Sequence, residues 1–277
     1  MKWLFFILFL IFILSAHTIY DVKVKGKLIE SGLLEISVPD SVQKIIVNGR
    51  EIPYAEKRCF IGFARKDSLV QEIVFVYEKQ RDTKMQLVLE ERTYSLQYID
   101  KIPSEFVEKP QSSELIARIN HEYEIISAVR KNIIFPNKNI YFSNVVQPVS
   151  GRFSSAYGDQ RILNDTPQRA HYGLDIAAPL GTPVKACADG VVVLHEEFYY
   201  NGNFVLIDHG LGMSSIYVHL DEIKVHLGQF VKAGEVIGTV GKSGRASGPH
   251  LHWGFYWFDK ALDPFLVFES FQANERP

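Results

Sequence analysis

GQFVKAGEVIGTVG, residues 228–241, decides the fold. It reads as turn, strand, turn, strand, with Gly228, Gly234, Gly238 and Gly241 as the punctuation. Upstream, Gly190–Leu194, Asn203–Asp208 and Ser214–His219 are further apolar stretches of strand length, separated by turns that contain glycine. No long helical periodicity interrupts them. Many short strands joined by regular turns imply an antiparallel β architecture from residue 141 to 277.

The same texture appears nearer the start. Leu33–Val38, Lys44–Val47, Glu72–Tyr77 and Met85–Leu89 are β-branched or alternate apolar with polar residues, and Asn48-Gly49 is a tight hairpin signal. The expected fold is therefore mainly β. Residues 17–105 read as a small amino-terminal β domain, sandwich-like, with no histidine and no pattern of catalytic groups from 20 to 100.

Between the two β regions, Pro103 and Pro110 punctuate the chain, and residues 106–140 read as a helical linker. Ser112 or Ser113 offers an N-cap, with Glu114 in the first turn. Leu115, Ile116, Ile119, Ile126 and Val129 recur at helical spacing, which predicts one amphipathic helix over 113–131, packed between the two domains. His121 falls on its other face as an exposed histidine.

Residues 1–16 read as an export signal: Lys2, an apolar run from Trp3 to Leu14, then Ser15 and Ala16. The run is short for a membrane span, which needs about 20 residues. An uncleaved anchor is the alternative. Either way the rest of the chain is expected outside the inner membrane, in the periplasm or cell envelope. Across the 277 residues, 30 Lys and Arg against 32 Asp and Glu leave a formal charge of −2. Phosphate binding wants a basic excess, so nucleic acid is not an expected partner. Cys59 and Cys187 are the two cysteines, read as buried thiols behaving as small apolar side chains.

Chemistry concentrates in the second β region. His171 and Asp175 form H-x-x-x-D, His250 and His252 form H-x-H, and His219 ends an apolar strand between them. Gly173 and Pro179 argue against a helix at the first motif. Side chains two apart on a strand project together, so His250 and His252 share a side and Leu251 points into the core. Two imidazoles and a carboxylate suit zinc, whose catalytic sites take three protein ligands and keep one position open. Each motif alone is weak; the combination in one glycine-punctuated β region is what points to a metal. A metal hydrolase also needs a proton acceptor and an oxyanion stabiliser, and no Glu lies in the motif, so His219 and His250 are the candidates. His195, His209 and His226 read as structural or surface residues.

The segments GRFSSAYGDQRILND, HYGLDIAAPLGTPVKACADGVVV, GNFVLIDHGLGMSSIYVHL and GQFVKAGEVIGTVGKSGRASGPHLHW closely resemble lysostaphin-like (LytM-type) zinc metallopeptidases, from about residue 146 to 266. The resemblance implies Zn2+ held by His171, Asp175 and His252, catalytic roles for His219 and His250, and, more weakly, a substrate-cleft role for Asn203. It implies peptide bonds of peptidoglycan as substrate. RTYSLQYIDKIP with the ELIARINHEYEII helix resembles the exported Gram-negative members, which favours the D-alanyl–diaminopimelate cross-link in the stem peptides and a first domain that covers the groove as an intramolecular inhibitor. Some members have lost metal ligands and serve as non-catalytic peptidoglycan-binding or amidase-activating proteins; this chain departs at none of the five positions. GQFVKAGEVIG also looks like a carrier-domain hairpin, but it lacks the flanks of a modifiable lysine.

Overall fold

The computed structural model describes residues 22–99, 112–131 and 142–272. The expected export signal lies outside these residues. Among them, no helix is long and apolar enough to cross a membrane.

The amino-terminal half consists of two antiparallel sheets. Val24–Gly26, Leu33–Ser37 and Arg58–Gly62 form one; Arg50–Ile52, Val42–Val47, Val70–Tyr77 and Thr83–Val88, in that spatial order, form the other. The four strands expected here are all present, with ends shifted by one to two residues. The Asn48-Gly49 hairpin is also present: Val47 pairs with Arg50, and both turn residues have positive φ, as a two-residue turn of this hand requires. Alternation along Val70–Tyr77 buries Gln71, Ile73, Phe75 and Tyr77 on one side.

The carboxy-terminal half is a ten-stranded antiparallel sheet. Its main path runs Phe230–Val231, Gly190–Phe198, Gly202–Gly210, Met213–Ile223, His250–Trp257, Leu174–Ala177, Arg152–Ser155. Pro183–Lys185, Val236–Val240 and Lys260–Leu262 join it at the sides. Its inner face meets the amino-terminal half in one continuous apolar core, where Phe60, Phe142, Phe255 and Phe271 pack ring against ring. Arg92–Asp263 at 3.0 Å and Lys260–Asp67 at 2.6 Å tie the same two halves at the edge of that core.

Leu96–Ile99 leaves the amino-terminal sheets and pairs in parallel with Gln160–Leu163, which hairpins with Thr166–Pro167. This pairing fixes the loop that leads into His171.

Helix α1 spans Ser113–Lys131, capped by the Ser112 hydroxyl, which accepts from the Leu115 amide at 3.3 Å. Its position differs from the expectation. It lies on the outer face of the carboxy-terminal sheet, where Ile126 is buried among Leu194, Phe198, Phe204, Leu206, Ile216, Val218 and Tyr256. Its stripe agrees with this: between Ile119 and Ile126 the inward position is Glu122, a carboxylate that needs polar partners and finds them in Arg118 and in the Tyr199 amide of the turn after Gly190–Phe198. A second helix, α2, spans Pro264–Phe271; Asp263 caps it by accepting from the Phe265 amide at 2.9 Å, and Pro264 occupies the first turn.

Candidate metal centre

Asp175 and His252 stand directly opposite each other on neighbouring antiparallel strands. Side chains so paired have Cβ atoms about 5 Å apart and share a face. The Asp175 Oδ1 and His252 Nδ1 atoms meet at 2.9 Å. His171 reaches the same point from the loop before the strand. Its Nε2 lies 3.0 Å from Asp175 Oδ1 and 2.9 Å from His252 Nδ1. That loop is held at both ends of His171, whose amide donates to Asp159 O and whose carbonyl accepts from the Gly158 amide.

Two nitrogens and one carboxylate oxygen thus converge on one point, and their chemistry fits a divalent metal such as zinc. Bonds of about 2.1 Å to a tetrahedral ion set donor atoms about 3.4 Å apart, close to the separations seen. The outer nitrogen of His171 supports the fit: Nδ1 donates to Ala156 O at 2.9 Å, which leaves Nε2 its lone pair.

Gly173 makes the convergence possible, and sequence reasoning had used it only to argue against a helix. A Cβ there would stand 2.5 Å from Cε1 and 2.6 Å from Nε2 of His252. No side chain fits in that space.

His250 and His252 project together, and Leu251 between them is fully buried, as strand alternation predicts. His250 Nε2 lies 4.0 Å from Asp175 Oδ1, and its Nδ1 donates to Gly248 O at 2.8 Å. The His219 ring stands 4.8 Å from that of His250 and 6.4 Å from that of His252. Its Nδ1 donates to Ser243 O at 2.8 Å. Three of the four imidazoles therefore give their Nδ1 proton to a backbone carbonyl and keep Nε2 as the lone-pair nitrogen.

His219 reaches the cluster by breaking the strand. Val218, not His219, is the residue paired with His252, so regular alternation would send His219 to the opposite face. A φ of 64° at His219 prevents that. Such a conformation costs a non-glycine residue on the order of 1 kcal/mol and persists where the surroundings hold it.

Charge follows burial. Burial pushes the Asp175 carboxyl up, but hydrogen bonds from His171 and His252 and the charge of those rings outweigh it and hold the group well below the ordinary carboxylate range. Burial lowers His252 and brings His219 down to about 4, with the neighbouring His252 adding to the second shift.

Elsewhere, Asn203 donates through Nδ2 to Leu220 O at 3.1 Å and Asp221 O at 2.9 Å. His121 and His226 are exposed, His195 is half-buried, and His209 is fully buried, hydrogen-bonded to Asp189 O and Ser215 Oγ. Both thiols are free and buried, as expected.

Residues 169–264 match peptidase family M23. They are an M23 peptidase domain. Curated relatives include peptidoglycan DD-endopeptidase ShyA of Vibrio cholerae, 45% identical over 103 residues, and DD-carboxypeptidase/endopeptidase Mpg of Neisseria meningitidis, 43% over 110 residues. The matched stretches are 37% and 40% of this chain but only 24% and 25% of those proteins. A crystal structure of a Pseudomonas aeruginosa protein assigned to peptidase M23 extends the likeness beyond the M23 domain, with 27% identity, a TM-score of 0.65, and coverage of 89% of this chain and 96% of the other.

Proposed function

We propose that this protein is a zinc metalloendopeptidase that hydrolyses peptide cross-links of bacterial peptidoglycan in the cell envelope, with the D-alanyl–diaminopimelate bond as its target. The observation that carries this reading is the convergence of His171, Asp175 and His252 beside two further histidines within an M23 domain. The names of the relatives ShyA and Mpg supply the substrate class.

His171, Asp175 and His252 would hold the ion, which would supply Lewis acidity and a nucleophile active near neutral pH. His219 and His250, each with its Nδ1 proton committed to a carbonyl, present Nε2 to the reacting atoms. One accepts the proton of the attacking water at Nε2 and passes it to the leaving amine; the other, carrying a proton on Nε2 as well, donates to the oxyanion.

The test is digestion of purified sacculi followed by separation and mass analysis of the muropeptides. Loss of cross-linked dimers is the expected result. Shortened monomers alone would shift the reading to a carboxypeptidase, and an unchanged profile from zinc-loaded protein would remove it. Metal analysis should find about one zinc per chain, by the three-ligand arithmetic of catalytic sites.

The reading extends to intramolecular inhibition by the amino-terminal domain, and we add α1, from the linker that follows it, as part of the cover. Its support is that α1 touches two separate loops around the centre. The Arg169 guanidinium, two residues before His171, lies 6.0 Å from the Tyr123 ring, and the Tyr199 amide, two residues before Asn201, donates to Glu122 at 2.9 Å. Because both halves share one core, point substitutions test this more cleanly than truncation. Glu122→Ala should raise the rate on sacculi; an unchanged rate counts against inhibition by α1.

A further inference from the structure

His219 needs support that its own strand does not give. Its amide donates to Asn201 O at 3.0 Å, on the neighbouring turn. Further support comes from Ser243, which is neither a metal ligand nor one of the two catalytic histidines. The Ser243 carbonyl accepts from His219 Nδ1 at 2.8 Å. The Ser243 hydroxyl donates to Leu220 O, the next residue along the strand, at 2.7 Å. That hydroxyl in turn accepts from the Asn203 amide at 2.9 Å.

Ser243 therefore grips both the ring of His219 and the backbone just after it. The hydroxyl gives its one proton to Leu220 O and receives one from the Asn203 backbone amide. Asn203 completes the clasp: its Nδ2 donates to Leu220 O and Asp221 O. These contacts converge on the strand where the backbone turns left-handed, so they select both the conformation of His219 and the nitrogen that carries its proton.

We propose that Ser243 is a positioning residue for His219, clasping its ring through the carbonyl and its strand through the hydroxyl so that Nδ1 stays the donor to that carbonyl and Nε2 is turned toward the metal centre. The inference rests on the hydrolase reading above for its kinetic consequence but not for its structural one. Ser243 does not touch substrate. Removing its hydroxyl loosens the loop whose carbonyl selects the tautomer, and a misplaced catalytic histidine loses turnover before it loses binding.

Two measurements test this on the full zinc-loaded protein. In the first, Ser243→Ala is compared with Ser243→Thr, which keeps the hydroxyl. The alanine variant should lose between about 10- and 100-fold in kcat on cross-linked muropeptide dimers, with KM and zinc content unchanged, and the threonine variant should recover most of it. In the second, nitrogen-15 histidine labelling reads the His219 tautomer directly. Wild type should show a single form protonated on Nδ1, and Ser243→Ala a mixture. An alanine variant with wild-type kcat and a single Nδ1-protonated form would overturn the proposal, as would a fall in KM or zinc retention with the tautomer unmoved. Should wild type itself leave the dimers uncut, the hydrolase reading fails while the tautomer measurement still decides the clasp.

Discussion

The ring of His219 stands 6.4 Å from that of His252, although the residue paired with His252 across the two strands is Val218. The centre thus has two kinds of histidine. One kind supplies donor atoms that meet near 3 Å, and the other stands back with Nδ1 tied to a carbonyl. Substitutions should separate the two. Replacing His171, Asp175 or His252 with alanine should abolish bound zinc and activity together. Replacing His219 or His250 should leave zinc in place and lower turnover by about 100- to 10,000-fold, the range typical of a lost general acid or base. Metal analysis paired with dimer cleavage checks this, and loss of zinc in His219→Ala would show the ligand assignment to be wrong.

Gly173 is the second sensitive position, for steric reasons alone. A methyl group there would overlap the edge of the His252 ring by about 1 Å relative to ordinary contact at 3.4 Å or more. The same methyl would stand 2.8 Å from the Trp253 carbonyl oxygen, so the ring and the strand that carries it must both shift. Gly173→Ala should therefore weaken zinc binding by at least about 10-fold and also lower the thermal midpoint of the metal-free protein. Competitive zinc titration against a chromogenic chelator reads the first, and calorimetry the second.

These two positions also mark where the sequence was and was not informative. The shared side of His250 and His252 follows from a strand period of two, and the structure places Leu251 in the core accordingly. The same period misplaces His219, because a single left-handed residue resets alternation and no residue type in YVHL signals it. Gly173 reads as a helix breaker, since the ring it must admit comes from a strand 79 residues later, His252. The extent of α1 was legible from its cap and spacing, but its docking partner was not. Five apolar positions suggested a continuous stripe, whereas the inward carboxylate of Glu122 commits the helix to Arg118 and the Tyr199 amide.

The cysteines give a simple check on the core. Burial pushes the Cys59 thiol up to about 12 and raises Cys187 as well. The reactive form of cysteine is the thiolate, so neither should react with a disulfide reagent in the native state. Both should react within seconds in denaturant. Rapid native labelling of either would mean that the core shared by the two halves opens readily.

Asp208 makes stability fall as pH rises. Its side chain is fully buried on the strand beside Met213–Ile223, with Oδ1 accepting from the Gly210 amide at 2.8 Å and Oδ2 without a partner. Burial raises the carboxyl from 3.8 to about 7. Between those values the folded state holds a proton that the unfolded chain has released. The contribution is fully present below about pH 4, declines as pH rises through the interval, and is gone above about 7, amounting to on the order of 4 kcal/mol. His209 next to it works in the opposite sense. Burial lowers it from 6.5 to about 4, so the unfolded chain binds the extra proton and stability rises with pH across that interval. The two slopes partly cancel in wild type, and the informative quantity is the difference from Asp208→Asn, which keeps the shape and cannot ionise. Denaturant unfolding at pH 4.5, 6 and 7.5 should show the asparagine variant gaining on wild type at each step by about 1 to 2 kcal/mol. A constant difference across the series would mean that Asp208 is ionised in the folded state throughout.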